Sequence, residues 1–140
     1  MYIMTMRKIV KEGVEMFRDA TSMAQAVRDK QVSPLELVLE TIEKAERLNP
    51  RLNAIVSTRY EEAIEEAKKF QVNNQPFAGV PLFLKDLGQE KKGMPCTYGS
   101  RLFKDYICHE TSHFVKRLEE LGFIILGRTN TPEFGYKMVS

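Results

Sequence analysis

The sequence predicts an α/β fold in which helices cover a sheet containing at least one parallel pair of strands. Two runs, Gly79-Val80-Pro81-Leu82-Phe83-Leu84 and Phe123-Ile124-Ile125-Leu126, are apolar along their length, which leaves neither strand a face for water. An amphipathic helical stretch separates them, and strand, helix and strand in that order imply parallel pairing under a helical cover. Upstream, several stretches carry helix-cap spacing, so helices precede the sheet.

Taken in order, residues 1–20 read as an N-terminal extension with helical character. Met4, Met6, Val10, Val14 and Phe17 line one face, interrupted by Gly13. Ser22-Met23-Ala24-Gln25 has capping-box spacing and predicts a short helix to about Lys30. Ser33-Pro34-Leu35-Glu36 is the stronger cap: Ser at the N-cap, Pro at the first helical position where its missing N–H costs nothing, and Glu two residues on. The helix that follows buries Leu35, Val38, Leu39, Ile42, Ala45 and Leu48 and is expected to end at Asn49-Pro50. Asn53 to Ser57 is a short β-favouring run. Thr58 to Glu61 repeats the cap spacing before a helix to about Phe70, with Ala63, Ile64 and Ala67 inward. Its Glu and Lys residues read as a solvated face with pairs such as Glu65 to Lys69.

The first apolar strand ends abruptly at Lys85-Asp86. A lysine at the end of a dry strand loses hydration of its ammonium, which disfavours the charged form and makes it a proton acceptor. The plainer reading, that Lys85 marks where the strand leaves the core, is the commoner for such an octet. The next segment is rich in breakers, Gly88, Gly93, Pro95 and Gly99. Loops at the carboxyl ends of strands are where α/β proteins keep their function. Thr97, Tyr98 and Ser100 place hydroxyls there, most simply as turn-stabilising groups. Glu110 to Leu121 is expected to be helical, with Phe114, Val115, Leu118 and Leu121 on one face and Gly122 closing it. After the second apolar strand, Gly127-Arg128 leads to Thr131-Pro132, which again has the look of an N-cap and first helical residue.

At 140 residues with 43% hydrophobic and 29% charged residues, the chain has the make-up of a soluble globular protein, for which the cytoplasm is the default location. The net charge of +2 is spread among interleaved acids and bases, which gives no basic stripe for a nucleic acid. Two cysteines, Cys96 and Cys108, make no disulfide framework and no metal-ligand spacing. No metal and no cofactor is expected. No run reaches the length of a membrane span, so no membrane partner is expected either.

Gly79-Val80-Pro81 with Lys85-Asp86, then Gly93-Met94-Pro95 with Thr97, Gly99 and Ser100, then Leu121-Gly122, then Gly127-Arg128-Thr129-Asn130-Thr131-Pro132-Glu133-Phe134-Gly135 together resemble the N-terminal portion of an amidase signature family enzyme. Ser33 to Val38 and Asn49 to Ala54 extend the resemblance to about residues 17–140. It implies N-terminal helices and the first strands of a larger helix-covered mixed sheet, with residues 21–140 forming the N-terminal part of an amidase domain that stops before the family's Gly/Ser-rich signature. It also implies a Ser–cis-Ser–Lys amide hydrolase in which Lys85 deprotonates a bridging serine that activates the nucleophilic serine. None of Ser22, Ser33, Ser57, Ser100, Ser112 or Ser140 sits at either serine position.

The expectation is therefore a leading fragment without amide hydrolysis of its own, which meets a small-molecule amide only within a full-length domain. Two alternatives stand beside it: a truncated, non-catalytic product or binding module, and a fragment of an aminoacyl-tRNA amidotransferase A subunit. Thr131-Pro132-Glu133-Phe134 resembles stand-alone hydrolases of linear or cyclic amides more than that subunit. Strands apolar on both faces but short of neighbours also predict marginal stability and self-association through exposed strand edges.

Overall fold

A computed structural model describes residues 19–138; the helix expected over residues 1–20 lies almost wholly outside them. In chain order come α1 (Ala20–Arg28), α2 (Pro34–Leu52), β1 (Ile55–Thr58), α3 (Tyr60–Lys69), β2 (Pro81–Lys85), a short 3₁₀ turn (Arg101–Phe103), α4 (His113–Glu120), β3 (Ile124–Thr129) and a second 3₁₀ turn (Glu133–Gly135). The strands form one mixed sheet of order β1-β3-β2, with β1 antiparallel and β2 parallel to the central β3. The expected parallel pairing of the two apolar runs is thus present.

Helices cover both faces. On one, α2 and α3 supply Val38, Ile42, Ala63 and Ala67 against Ile124 and Leu126 of β3, with Phe83 of β2 packed beside them. On the other, Val115 of α4 and Met94 of the long loop meet Leu84 and Ile125. Successive residues of a strand point to opposite faces, so the run Ile124-Ile125-Leu126 must be apolar throughout to serve both layers.

The cap at Ser33 forms as the spacing predicts. Its hydroxyl accepts from the Glu36 N–H, and the Glu36 carboxylate accepts from the Ser33 N–H at 2.8 Å. Other boundaries differ for physical reasons. The box that opens α1 runs from Asp19 to Ser22 instead of from Ser22 to Gln25, because the Asp19 carboxylate takes the Ser22 N–H at 2.7 Å. α2 continues past Asn49-Pro50 to Leu52, where Asn53 stops it in a left-handed conformation. The Asn49 side chain accepts from the N–H groups of Ala54 and Ile55, which turns the chain directly into β1.

Thr58 does not cap α3. It is the last residue of β1, paired with Gly127, and Arg59 occupies the N-cap without a side-chain cap bond. Arg59 donates to the Ile125 carbonyl and to Glu66 instead. α4 begins at Ser112 as its N-cap, later than Glu110, and Phe114 is exposed while Val115 is the helix's fully buried residue. Thr131-Pro132 opens only the 3₁₀ turn.

β3 also runs three residues beyond the apolar stretch, through Gly127, Arg128 and Thr129. Gly127 permits this, because a Cβ there would run into the Ser57 carbonyl oxygen and the Thr58 Cα of β1. The extension carries Arg128 and Thr129 level with Leu84 and Lys85, the end of β2.

Candidate active site

Parallel pairing brings the carboxyl ends of β2 and β3 side by side, with Lys85 opposite Thr129. The loops that leave those ends are fastened to each other. Ser100 donates its hydroxyl to Glu133 at 2.6 Å, and the Phe134 N–H donates to the Tyr98 carbonyl at 2.8 Å. Gly99, at φ +68°, lets the loops meet, since a Cβ at that position would lie 2.5 Å from the Thr131 carbonyl oxygen. Tyr98 and Phe134 both hold left-handed backbone, φ +53° and +48°, a conformation that side-chain-bearing residues adopt at a cost and that collects at functional sites. Their rings stack with centroids 6.5 Å apart. A hollow of about 420 Å³ opens beside this junction, lined by Gly99, Asn130, Thr131, Glu133 and Phe134 among others.

Lys85, the residue singled out from sequence, ends β2 with an exposed side chain. The dry surroundings expected for it are not formed by residues 19–138. Its neighbour Asp86 takes the buried place, 2% exposed. The Asp86 carboxylate accepts from the Thr97 N–H at 2.9 Å and the Thr97 hydroxyl at 2.5 Å, so that hydroxyl does more than stabilise its own turn. Tyr98 likewise donates to Glu90 across the loop, at 3.2 Å, and burial, with nearby Glu90 and Cys96 adding, raises its phenol well above the usual tyrosine range.

The sequence places Arg128 beyond the second apolar run and gives it no role, yet its side chain is 0% exposed. Its Nη1 donates to the carbonyls of Lys85 at 2.9 Å and Gln89 at 2.8 Å, Nη2 reaches Cys108 Sγ at 3.7 Å, and Nε faces the Asp86 carboxylate at 4.0 Å. A buried guanidinium needs such acceptors, because an unpaired charge in the interior is costly. One signal was available: an arginine two residues past an all-apolar strand, with an Asp just past the other strand.

Cys96 and Cys108 are free, buried thiols on the strand-like pair that brackets Pro95 and Ile107. Burial pushes the Cys96 thiol up to about 11 against an opposing pull from Arg128. The unfolded chain releases that proton near 9 while the folded chain keeps it, so stability falls as pH rises from 9 to 11 and levels off above. At 1.36 kcal/mol per pH unit the loss is on the order of 3 kcal/mol. Urea midpoints of the wild type are expected to drop over that window, and those of Cys96→Ala to drop less. Equal slopes would show that Cys96 does not carry the effect. Among the described residues no group of three or more His, Cys, Asp or Glu is placed to hold a metal ion, and no helix is long and apolar enough to cross a membrane.

The profile of the amidase family matches residues 36–140. A lipoamidase of Enterococcus faecalis is 47% identical over 121 residues, 86% of this chain and 17% of that protein. The 6-aminohexanoate-cyclic-dimer hydrolase of Paenarthrobacter ureafaciens is 36% identical over 129 residues, 91% of this chain and 26% of that protein. A solved structure of a 6-aminohexanoate cyclic dimer hydrolase complexed with substrate superposes with a TM-score of 0.82 at 36% identity, covering 91% of this chain and 26% of the other. Glutamyl-tRNA(Gln) amidotransferase A subunits match as well, that of Methylacidiphilum infernorum at 35% over 105 residues, 75% of this chain and 21% of that protein. The chain spans about a quarter or less of the length of these relatives.

Proposed function

This chain belongs to the amidase family, and from that premise we propose that it carries the base-bearing segment of an enzyme hydrolysing carboxylic amide C–N bonds, with Lys85 as the base. The observation that carries the reading is the position of Lys85 at the carboxyl end of β2, level with Thr129 and beside two loops locked to each other. In a Ser–cis-Ser–Lys relay, the amine of Lys85 takes the hydroxyl proton of a bridging serine, whose oxygen takes the proton of the nucleophilic serine. The nucleophile's oxygen bonds to the amide carbon, the C–N bond breaks, the relayed proton leaves on the amine, and water releases the acyl group. Both serines, and the cover that would keep water from Lys85, belong to the part of an amidase-length protein outside residues 19–138. Residues 21–138 are, on this reading, the described portion of the N-terminal part of that domain, and the β1 and β2 edges are where further strands or a second copy would pair.

The substrate class is a small linear or cyclic amide. The match to amidotransferase A subunits favours a second reading, in which the amide is glutamine and the product ammonia is handed to a partner. The test compares the 140-residue chain with a graft in which its residues 19–138 replace the matching segment of the Enterococcus faecalis lipoamidase. The chain alone is expected to release no ammonia or amine above buffer from amides or glutamine, and the graft to release amine from the lipoamidase's own substrate. A folded but inactive graft, or turnover by the chain alone that survives Lys85→Ala, counts against the proposal. Release of ammonia from glutamine by the graft in place of lipoamidase turnover would favour the second reading.

A further inference from the structure

We infer that Gln89 and Arg128 are positioning residues that aim Lys85; this rests on the reading of Lys85 as a base. The peptide groups on either side of Lys85 are held by two side chains. The Lys85 N–H donates to Gln89 Oε1 at 2.6 Å, and the Lys85 carbonyl accepts from Arg128 Nη1 at 2.9 Å. The same Nη1 holds the Gln89 carbonyl at 2.8 Å, so one guanidinium nitrogen anchors both the residue to be aimed and the residue that grips its N–H.

Arg128 is in turn fixed. It is fully buried on the central strand, Cys108 Sγ lies against Nη2, and Nε faces Asp86, whose carboxylate is committed to the two Thr97 bonds. The Asp86 N–H adds one bond to the Thr129 carbonyl, at 3.0 Å. The main chain from Lys85 to Gln89 is thereby tied to the rigid centre of the sheet, while the Lys85 side chain itself stays clear of every one of these contacts. That division of labour suits a residue whose backbone must be immobile and whose amine must reach a reacting group. A displacement of 1 Å at such a group costs about 10²-fold in rate.

The first measurement uses the 140-residue chain labelled with ¹⁵N. The Lys85 and Gln89 amides are expected to show order parameters of about 0.85, those of rigid backbone, and Gln89→Ala to bring the Lys85 amide below about 0.6 while the amides of Ile124 to Leu126 hold their values. Gln89→Glu keeps an acceptor for the Lys85 N–H and is expected to restore rigidity. Arg128→Lys keeps the charge beside Asp86 but not the reach to both carbonyls, and is expected to loosen Lys85 and Gln89 together. A Lys85 amide as rigid in Gln89→Ala as in the wild type overturns the inference.

The second measurement uses the lipoamidase graft. Gln89→Ala is expected to lower kcat about 10²-fold with KM little changed, and Gln89→Glu to recover most of it. If Lys85→Ala abolishes turnover and Gln89→Ala leaves kcat intact, the positioning role is wrong and the base assignment stands. If Lys85→Ala keeps turnover, the base assignment is wrong, and with it any catalytic purpose for the clamp.

Discussion

Replacing Lys85 with alanine is expected to lower kcat of the lipoamidase graft by about 10²–10⁴-fold, the usual worth of a positioned acid–base group, and to leave the unfolding free energy of the 140-residue chain within about 0.5 kcal/mol of the wild type. The two halves of this expectation have separate physical grounds. Lys85 is exposed and its side chain enters none of the hydrogen bonds that tie down its backbone, so truncating it opens no cavity and strands no partner. What it removes is the proton acceptor, without which a serine hydroxyl is a weak nucleophile. Steady-state kinetics on the graft and urea curves on the 140-residue chain read the two effects separately. Retention of kcat within a few-fold would show that Lys85 only marks the end of β2. A large stability loss with proportionate loss of activity would show that the residue supports the fold.

The largest effect on stability is expected at Arg128→Met. The methionine fills part of the volume but leaves Asp86 as a buried carboxylate without its cation and leaves the carbonyls of Lys85 and Gln89 without a donor. Removing one partner of a buried pair costs about 3–5 kcal/mol, set against the 5–15 kcal/mol that a whole domain nets. Urea unfolding followed by far-ultraviolet circular dichroism is expected to show the midpoint collapse, with a shallow or absent folded baseline. Adding Asp86→Asn is expected to return part of the loss. The amide removes the stranded charge, and its oxygen still accepts from the Thr97 N–H. A cost for Arg128→Met below about 1 kcal/mol would mean that Arg128 and Asp86 hold one another only weakly at their 4.0 Å separation.

Much of the architecture was legible from residues alone, and so was the position of Lys85. Ser33-Pro34-Leu35-Glu36 specifies the start of α2 because every group in that cap lies within three residues of the others. The runs ending at Leu84 and Leu126 specify parallel strands between helical layers; the central β3 is buried as expected, whereas Pro81, Leu82 and Phe83 of the edge strand β2 are only half-buried. Lys85 stands out because it is the first charge after such a run. These are local signals, and short-range chemistry suffices to read them.

What the tertiary structure alone decided lies in partners distant in sequence. Thr58 reads as a cap until Gly127 claims it for β1, and Gly127-Arg128-Thr129 reads as lying beyond the strand that ends at Leu126 until pairing with both neighbours draws it into β3. The burial of Asp86 in place of Lys85 depends on Thr97, 11 residues on, and on Arg128 of β3. The grip on the Lys85 backbone spans 43 residues from Arg128. A buried charge is tolerable only where its acceptors converge on it in space. The places of Arg128 and Asp86 just past their apolar runs point to the pair, but the acceptors that converge on Arg128 became visible only once β2 and β3 lay side by side.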